Sequence, residues 1–397
     1  MVDVRSALAT TGGTCRVMGT ASTMACIAEA MGMSPAGSAT APAASGDRLR
    51  VGTVSGRVAV AAAVEERRPS QVVTRAGVTN AAAVLAAVGG STNAVIHLLA
   101  VARRAGVDFT LDHFDEIAGR VPLLVDCKPS GSGYLEDLHR AGGVPVLMKT
   151  MANLLDLDAP VVEGGTLGDR LADVAPAAEW QTVVRSLESP LGPPRALAVL
   201  RGNLAPDGAV IKLSAATPEL TQHEGPAVVF ESPEDVARRI DDPQLPVTAD
   251  SVLVLRNAGP VGSGMPEAGS FPIPRKLAQA GVRDMVRVSD ARMSGTSYGT
   301  VVLHVAPEAA VGGPLALVED GDMIRLDATA GELTLQVSPE ELERRRSRWV
   351  PPQRPVRGWR RLHAEHVLQA SEGADFDTLL PARAQADETP TGKETAP

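Results

Sequence analysis

Apolar residues recur at helical spacing through about the first 160 residues of the chain. The stretch MACIAEAM places its apolar side chains three or four residues apart, and the Gly and Pro residues of GMSPAGS end that helix. RVGTVSGRVAVAAAVEE predicts a second, alanine-rich helix. GGSTNAVIHLLAVARRAGVDF predicts a third, with Ser91, Thr92 and Asn93 as capping candidates. LDHFDEIAGRVPLLVD predicts a helix and then a short buried strand.

The pattern changes near residue 190 to short Val, Leu and Ile runs separated by turns. RALAVLRGNLAPDGAVIKLS, GPAVVFES, SVLVLRNAGP, MVRVSD, GTVVLHVAP and MIRLDATAGELTLQV are the main runs. Strands at this spacing are typical of a β-barrel or swivelling β domain. SPEDVARRI and PRKLAQAG predict helices between the strands. The expected fold class is therefore an incomplete α/β N-terminal domain followed by a β-barrel-like C-terminal domain with inserted helices.

Loop-rich composition between these two parts predicts where the domains divide. We expect the remainder of an α/β domain at residues 1–165, a linker at 166–188 and the β-barrel domain at 189–350. A C-terminal helix is expected at 351–380. The polar tail at 381–397 has the composition of a disordered segment.

Composition narrows the functional classes. The 397 residues are 44% hydrophobic and 21% charged, as in ordinary globular proteins, and the net charge of −9 argues against nucleic acid as a partner. No apolar run reaches the roughly 18 residues that span a bilayer, and MVDVRSALAT lacks a signal-peptide pattern. A cytoplasmic protein with no membrane partner is expected.

The three cysteines are too few for a disulfide framework. Cys15 precedes a helix, where the helix dipole and unpaired N–H groups favour a thiolate, so it is either a metal or cluster ligand or an inert cysteine. Cys26 lies on the helix itself and Cys127 at a strand end. Both are expected to pack in the core.

Two glycine-rich loops carry the other candidate chemistry. RNAGPVGSGMPEAG surrounds one carboxylate, Glu267, which is either a solvated turn residue or a ligand for a hard cation. VSDARMSGTSYGT presents Ser294 after a strand, either in a plain polar loop or as a proton-transfer group. His363 and His366 are expected at the surface. The sequence contains no P-loop, GxSxG elbow or dinucleotide fingerprint.

Taken together, these motifs resemble those of a single enzyme family. GTCRVMGTASTMACIAEAMGMSPAGSA, GGSTNAVIHLLAVARRAG, LEDLHRAGGVPVLMK, LRGNLAPDGAVIK, RNAGPVGSGMPEAG and SDARMSGTSYGTVVLHVAPEAAVGGPLALVEDGD occur in order from residue 12 to about 345. The family comprises the dihydroxy-acid, phosphogluconate and sugar-acid dehydratases. The form GTC..MGTASTM is more similar to the sugar-acid branch, for arabinonate and xylonate, than to the branched-chain amino-acid branch.

The resemblance implies an α/β domain with an iron–sulfur cluster, of 2Fe-2S or 4Fe-4S type, a β-barrel domain, and an active site between them. It also implies Mg²⁺ and assembly as a homodimer or homotetramer. Cys15 matches one of three cluster cysteines, Glu267 the metal-binding glutamate and Ser294 the proposed base.

Three further residues near these motifs are expected to contact the small hydroxy-acid substrate, namely Ser91, Arg292 and Thr296. The implied reaction dehydrates a 2,3-dihydroxy acid, expected to be an aldonate, to a 2-keto-3-deoxy acid. Iron would act as Lewis acid on the C3 hydroxyl, and Mg²⁺ would bind the carboxylate and C2 hydroxyl. Ser294 would take the C2 proton, and the enol product would tautomerise.

The family pattern also contains two cysteines, an aspartate and a carboxylated lysine before GTC that nothing in this sequence matches. The expectation is therefore an N-terminally truncated dehydratase that is inactive as written, with apolar surface exposed in its α/β layer. Three alternatives stay open: dihydroxy-acid dehydratase of branched-chain amino-acid synthesis, a non-catalytic binding or scaffold protein, and a partner chain that supplies the missing ligands.

Overall fold

The computed structural model describes residues 15–265, 271–294 and 298–381. Within these ranges a predominantly helical region is followed by a closed barrel of eight strands. This order confirms the predicted fold class. In the helical region, strand β1 (Pro122–Leu123) pairs antiparallel with β2 (Gly192–Pro194), which lies just before the barrel.

Nine helices build the first region as the structure describes it. They are α1 (Thr20–Ala30), α2 (Gly46–Val64), α3 (Pro69–Val72), α4 (Arg75–Ala87), α5 (Thr92–Arg104), α6 (Leu111–Ala118), α7 (Leu135–Arg140), α8 (Gly143–Thr150) and α9 (Leu167–Ala172). The segment predicted as a linker at 166–188 thus contains α9, and Leu167 and Leu171 are buried in the core of the helical region. The domain boundaries remain predictions.

Helix α4 is the centre of this region. Its sequence RAGVTNAAAVLAA is apolar on every side after the first turn, and all residues from Asn80 to Ala87 are buried. A helix that is apolar all round must be covered all round, and α1, α5 and α6 pack against it. Thr74 caps its start by accepting a hydrogen bond from the Gly77 amide at 3.2 Å.

Helix α2 is apolar too, but in the described part of the chain it buries none of its residues. Leu49, Val60 and Val64 are 76%, 65% and 78% exposed. This agrees with the expectation of exposed apolar surface in this layer. None of the helices within the described ranges combines the length and apolarity needed to cross a bilayer.

The barrel strands run in the order β10, β3, β4, β8, β7, β6, β5, β9. Strands β5 to β8 are mutually parallel where they are neighbours, and the remaining pairs are antiparallel except β10 with β3. Their bounds are β3 (Ala198–Gly202), β4 (Ala205–Ile211), β5 (Gln222–Phe230), β6 (Val252–Leu255), β7 (Arg287–Ser289), β8 (Val301–Ala306), β9 (Met323–Asp327) and β10 (Glu332–Leu335).

Alternate residues of the parallel strands face different cores. In β5, Ala227 and Val229 point into the barrel, whereas Val228 and Phe230 join an outer cluster. Parallel strands buried on both faces read as continuous apolar runs, which is how they appear in this sequence. The outer cluster is covered by α10 (Pro233–Arg239) and α12 (Arg275–Gln279), and the other helices of this region are α11 (Pro260–Ser263), α13 (Pro339–Arg348) and α14 (Gly358–His366).

Two helical glycines provide a test of this packing. A Cβ atom at Gly77 would lie 2.8 Å from the Met31 carbonyl oxygen, whereas one at Gly56 in α2 would meet nothing within 4 Å. We expect Gly56→Ala to raise the free energy of unfolding by about 0.5–1 kcal/mol, because alanine restricts the unfolded chain. Gly77→Ala should lower it, because α4 must move away from α1. Urea denaturation of both variants measures this, and equal effects would contradict the packing.

Candidate functional site

A buried carboxylate organises the loops at one end of the parallel strands. Asp290 directly follows β7 and is fully buried. It accepts hydrogen bonds from the backbone amides of Asn257 at 3.2 Å, Ala258 at 3.0 Å and Ala309 at 3.0 Å. One side chain thus ties together the segments that follow β6, β7 and β8. Burial raises the pKa of Asp290 to about 7, and the three amides oppose that rise.

A second carboxylate fixes the short helix α11. Glu308 accepts hydrogen bonds from the amides of Val261 at 2.7 Å and Gly262 at 3.0 Å, and from Gln369 Nε2 at 3.0 Å. A Cβ atom at Gly259 would lie 2.3 Å from Glu308 Oε2, so only glycine permits this approach. These hydrogen bonds therefore fix the start of the loop that leads towards Glu267. Glu267 itself lies outside the described residues.

The loop after Asp290 contains Arg292 and Ser294, both half-buried. It is joined to the helical region by Asn93, whose Nδ2 donates to the Met293 carbonyl at 2.9 Å and to Thr20 Oγ1 at 3.0 Å. This bridge brings the start of α5 and the start of α1 to the loop with the predicted base. Thr296, predicted to contact substrate, lies outside the described residues.

Ser91 is the N-cap of α5, as the sequence suggested. Its Oγ accepts from the Asn93 amide at 3.2 Å and lies 3.0 Å from Thr20 Oγ1. The side chain is fully buried and already occupied by these contacts. Its contact with substrate stays a prediction.

Cys15 is exposed, five residues before α1, and its carbonyl accepts a hydrogen bond from Ser22 Oγ at 3.2 Å. The other two cysteines are buried in the helical core. Burial raises the pKa of Cys26 above its ordinary range and that of Cys127 to about 12. Their thiols are thus kept protonated, which is unfavourable for metal ligation.

The residues described do not fit a complete cluster or Mg²⁺ site. Among them no three His, Cys, Asp or Glu side chains lie close enough together to hold a metal ion. Cys15 alone offers an accessible thiol, and a single thiolate does not retain an iron–sulfur cluster.

Sequence reasoning missed a cavity of about 140 Å³ beside this loop. Its walls include Asn93, His97, Arg292, His304 and His363. His363, expected at the surface, is half-buried there. His304 is 2% exposed, and burial together with His97 and Arg292 lowers its pKa to about 3. His304 is a single histidine in an apolar run, and that pattern did not indicate that its side chain lines a cavity.

The titration of Asp290 can be tested directly. A carboxyl whose pKa is raised on folding contributes stability that is fully present below its unfolded pKa, here near the ordinary 3.8, and lost as the pH rises through about 7. Between those values we expect the free energy of unfolding to fall in the unaltered protein relative to Asp290→Asn, which cannot titrate.

Urea denaturation at a series of pH values measures this difference. At a pH near 4 or below the variant should be less stable by about 1–3 kcal/mol, because its amide offers one acceptor oxygen to three backbone amides. This deficit should shrink as the pH rises towards 7. Asp250→Asn, at an exposed carboxylate, is the matched control and should keep the original pH profile. Parallel profiles for the unaltered protein and Asp290→Asn would contradict the assignment.

Comparison with known proteins adds to this geometry. Residues 1–170 match the family model described as dihydroxy-acid/6-phosphogluconate dehydratase N-terminal, and residues 182–374 match its C-terminal counterpart. The chain is 51% identical over 382 residues to 6-deoxy-6-sulfo-D-gluconate dehydratase of Pseudomonas putida, covering 95% of this chain and 66% of that protein.

Two further relatives are named for different substrates. L-arabinonate dehydratase of Rhizobium leguminosarum bv. trifolii (strain WSM2304) is 45% identical over 390 residues, covering 97% of this chain and 67% of that protein. A dihydroxy-acid dehydratase of Synechococcus sp. (strain JA-2-3B'a(2-13)) is 46% identical over 376 residues, covering 93% and 65%. The chain thus spans about two thirds of the length of these curated relatives.

Proposed function

The chain belongs to the dihydroxy-acid/6-phosphogluconate dehydratase family, a family of hydro-lyases, and from this premise we propose that it serves the dehydration of a sugar acid. The substrate class is a 2,3-dihydroxy aldonate and the product a 2-keto-3-deoxy acid. The names of the relatives that act on sulfogluconate and arabinonate support an aldonate. Cytoplasmic location and homodimeric or homotetrameric assembly belong to the same proposal.

One observation of the structure carries the proposal furthest. The loop with Arg292 and Ser294 follows β7 and begins at the buried Asp290. A hydrogen bond from Asn93 joins this loop to the helical region. Residues from both regions therefore meet at a polar cavity, as a site between two regions requires. The family role of Cys15 as a cluster ligand and of Glu267 as a Mg²⁺ ligand remains part of the proposal.

Ser294 is proposed to receive the C2 proton of the substrate. Loss of that proton and of the C3 hydroxyl forms an enol, which tautomerises to the 2-keto acid with net release of one water. A serine hydroxyl is a weak base, so it needs positive charge close by to act as an alkoxide. Arg292, two residues earlier on the same loop, is proposed to supply one such charge.

The main alternative is dehydration of a branched-chain 2,3-dihydroxy acid. It is favoured by the similarity to the Synechococcus dihydroxy-acid dehydratase, at 46% identity. A substrate panel of aldonates and 2,3-dihydroxyisovalerate separates the two, since each predicts turnover of one class and little of the other.

The described residues also predict how the chain alone behaves. We expect the 397-residue protein, purified without oxygen, to hold less than stoichiometric iron and sulfide and to leave aldonates unchanged. The reason is that, in the described ranges, Cys15 alone has an accessible thiol, and one thiol is too few to hold a cluster. Iron and sulfide analysis with a product assay for 2-keto acids tests this. Stoichiometric metal with turnover would contradict it.

The intact mass of the protein from its native source decides how that result is interpreted. A mass near 41.1 kDa would require a partner chain for activity or the loss of the enzyme proposal. A clearly larger native protein should be active, and Ser294→Ala should then lower its kcat by about 10²-fold or more, with cluster content unchanged.

A further inference from the structure

The cavity beside the Arg292 loop is built from two regions of the chain. Its volume of about 140 Å³ far exceeds the roughly 10–15 Å³ that one water molecule needs on the same measure. Helix α5 contributes Asn93 and His97, and the barrel contributes Arg292 and His304. A second cavity of about 640 Å³ shares His363 as a wall, so the smaller one adjoins an open groove.

His304 is aimed into this cavity by a β-bulge. Val210 of β4 lies opposite Leu303 of β8, whereas Gly208 lies opposite Ala306, so β8 holds one extra residue between the two pairs. His304 takes up the mismatch with φ of +60°, a left-handed conformation that is uncommon for residues other than glycine. Backbone conformations of this kind cluster at functional sites, which makes His304 a candidate ligand-binding residue.

The buried polar atoms of the cavity lack partners. Neither ring nitrogen of His304 has a hydrogen-bond partner among the described residues, although only 2% of the residue is exposed. The same holds for Arg292 Nε and Asn93 Oδ1. A buried polar group that is left unpaired destabilises the fold, so a cavity with several such groups is suited to a polar ligand.

The charges select the kind of ligand. Arg292 is cationic, and within the described ranges no acidic side chain lines the cavity. Burial and Arg292 hold the pKa of His304 and that of His97 below their ordinary values. A neutral imidazole has one donor and one acceptor nitrogen, so His304 can serve an oxyanion and a hydroxyl at once.

We propose that this cavity is a hydroxy-acid subsite, in which Arg292 and His304 donate to an oxyanion and Asn93 Oδ1 accepts from a neighbouring hydroxyl. That the bound ligand is part of the sugar-acid substrate rests on the proposed function. Binding of a small hydroxy acid does not, because it depends only on residues that the structure describes.

Glycerate is the probe that carries both groups. Calorimetry and thermal shift on the 397-residue protein should show binding of glycerate, weaker binding of acetate and none of glycerol at equal concentration. Inorganic sulfate tests for a plain anion site. Sulfate that binds as tightly as glycerate would overturn the hydroxyl part of the proposal.

Variants locate the binding. Arg292→Gln should weaken glycerate binding about tenfold or more, since it removes a charged donor. Arg360→Gln removes an exposed arginine that lines the adjoining groove, and it should leave the affinity unchanged. Equal affinity in the unaltered protein and in Arg292→Gln would overturn the subsite.

His304 needs a conservative variant because its backbone is strained. Asparagine tolerates a positive φ and has both a donor and an acceptor, so His304→Asn should retain part of the affinity that His304→Ala loses. Melting temperatures without ligand show whether either variant is folded. If both folded variants bind glycerate as the unaltered protein does, His304 is not part of the subsite.

The outcomes separate this proposal from the proposed function. If glycerate binding needs Arg292 but the protein dehydrates no sugar acid in any form, the subsite proposal is supported and the proposed function is contradicted. If the protein turns over aldonates but binds no glycerate, or binds it equally well without Arg292, the proposed function is supported and the subsite proposal is contradicted.

Discussion

Three backbone amides converge on the carboxylate of Asp290, and the arrangement of the site depends on that contact. The amides belong to segments that follow three neighbouring barrel strands, and those of Ala258 and Ala309 would be buried without an acceptor if the carboxylate were absent. Because loops rarely hold one conformation by themselves, a buried acceptor shared by three of them replaces the hydrogen bonds that a regular sheet would supply. Glu308 repeats this device for α11. The segments that follow β6, β7 and β8 are thus fixed by buried acceptors.

A single asparagine connects this rigid end of the barrel to the helical region. The Nδ2 group of Asn93 reaches both Thr20 and the Met293 carbonyl, so the start of α1, the start of α5 and the Arg292 loop keep a fixed relation. The same residue leaves its Oδ1 unpaired towards the cavity. Structural and ligand-facing roles therefore meet in one side chain, and a substitution there would disturb both at once.

Sequence pattern predicted the local elements well and the shared site poorly. Ser91 was a capping candidate because a polar residue precedes an apolar period, and it caps α5 as that signal requires. The strands of the barrel were visible as apolar runs between turns. His304 gave no signal, because its orientation comes from a register mismatch between β8 and β4, which are far apart in sequence. The exposure of α2 was foreseen only in general terms, since a pattern shows which residues are apolar but not what covers them.

The positions of the cysteines show why a resemblance has to be carried over residue by residue. Cys26 lies next to the middle of α1 and is fully buried, and Cys127 is buried in the same core, so both side chains fill space that a metal ion would need. Desolvation disfavours the thiolate that ligation needs, and exposing either residue would open a void in a packed interior. Cys15 differs on both counts, because it is exposed and lies ahead of a helix start. Among the described cysteines, local packing alone therefore distinguishes the candidate ligand from the two core residues.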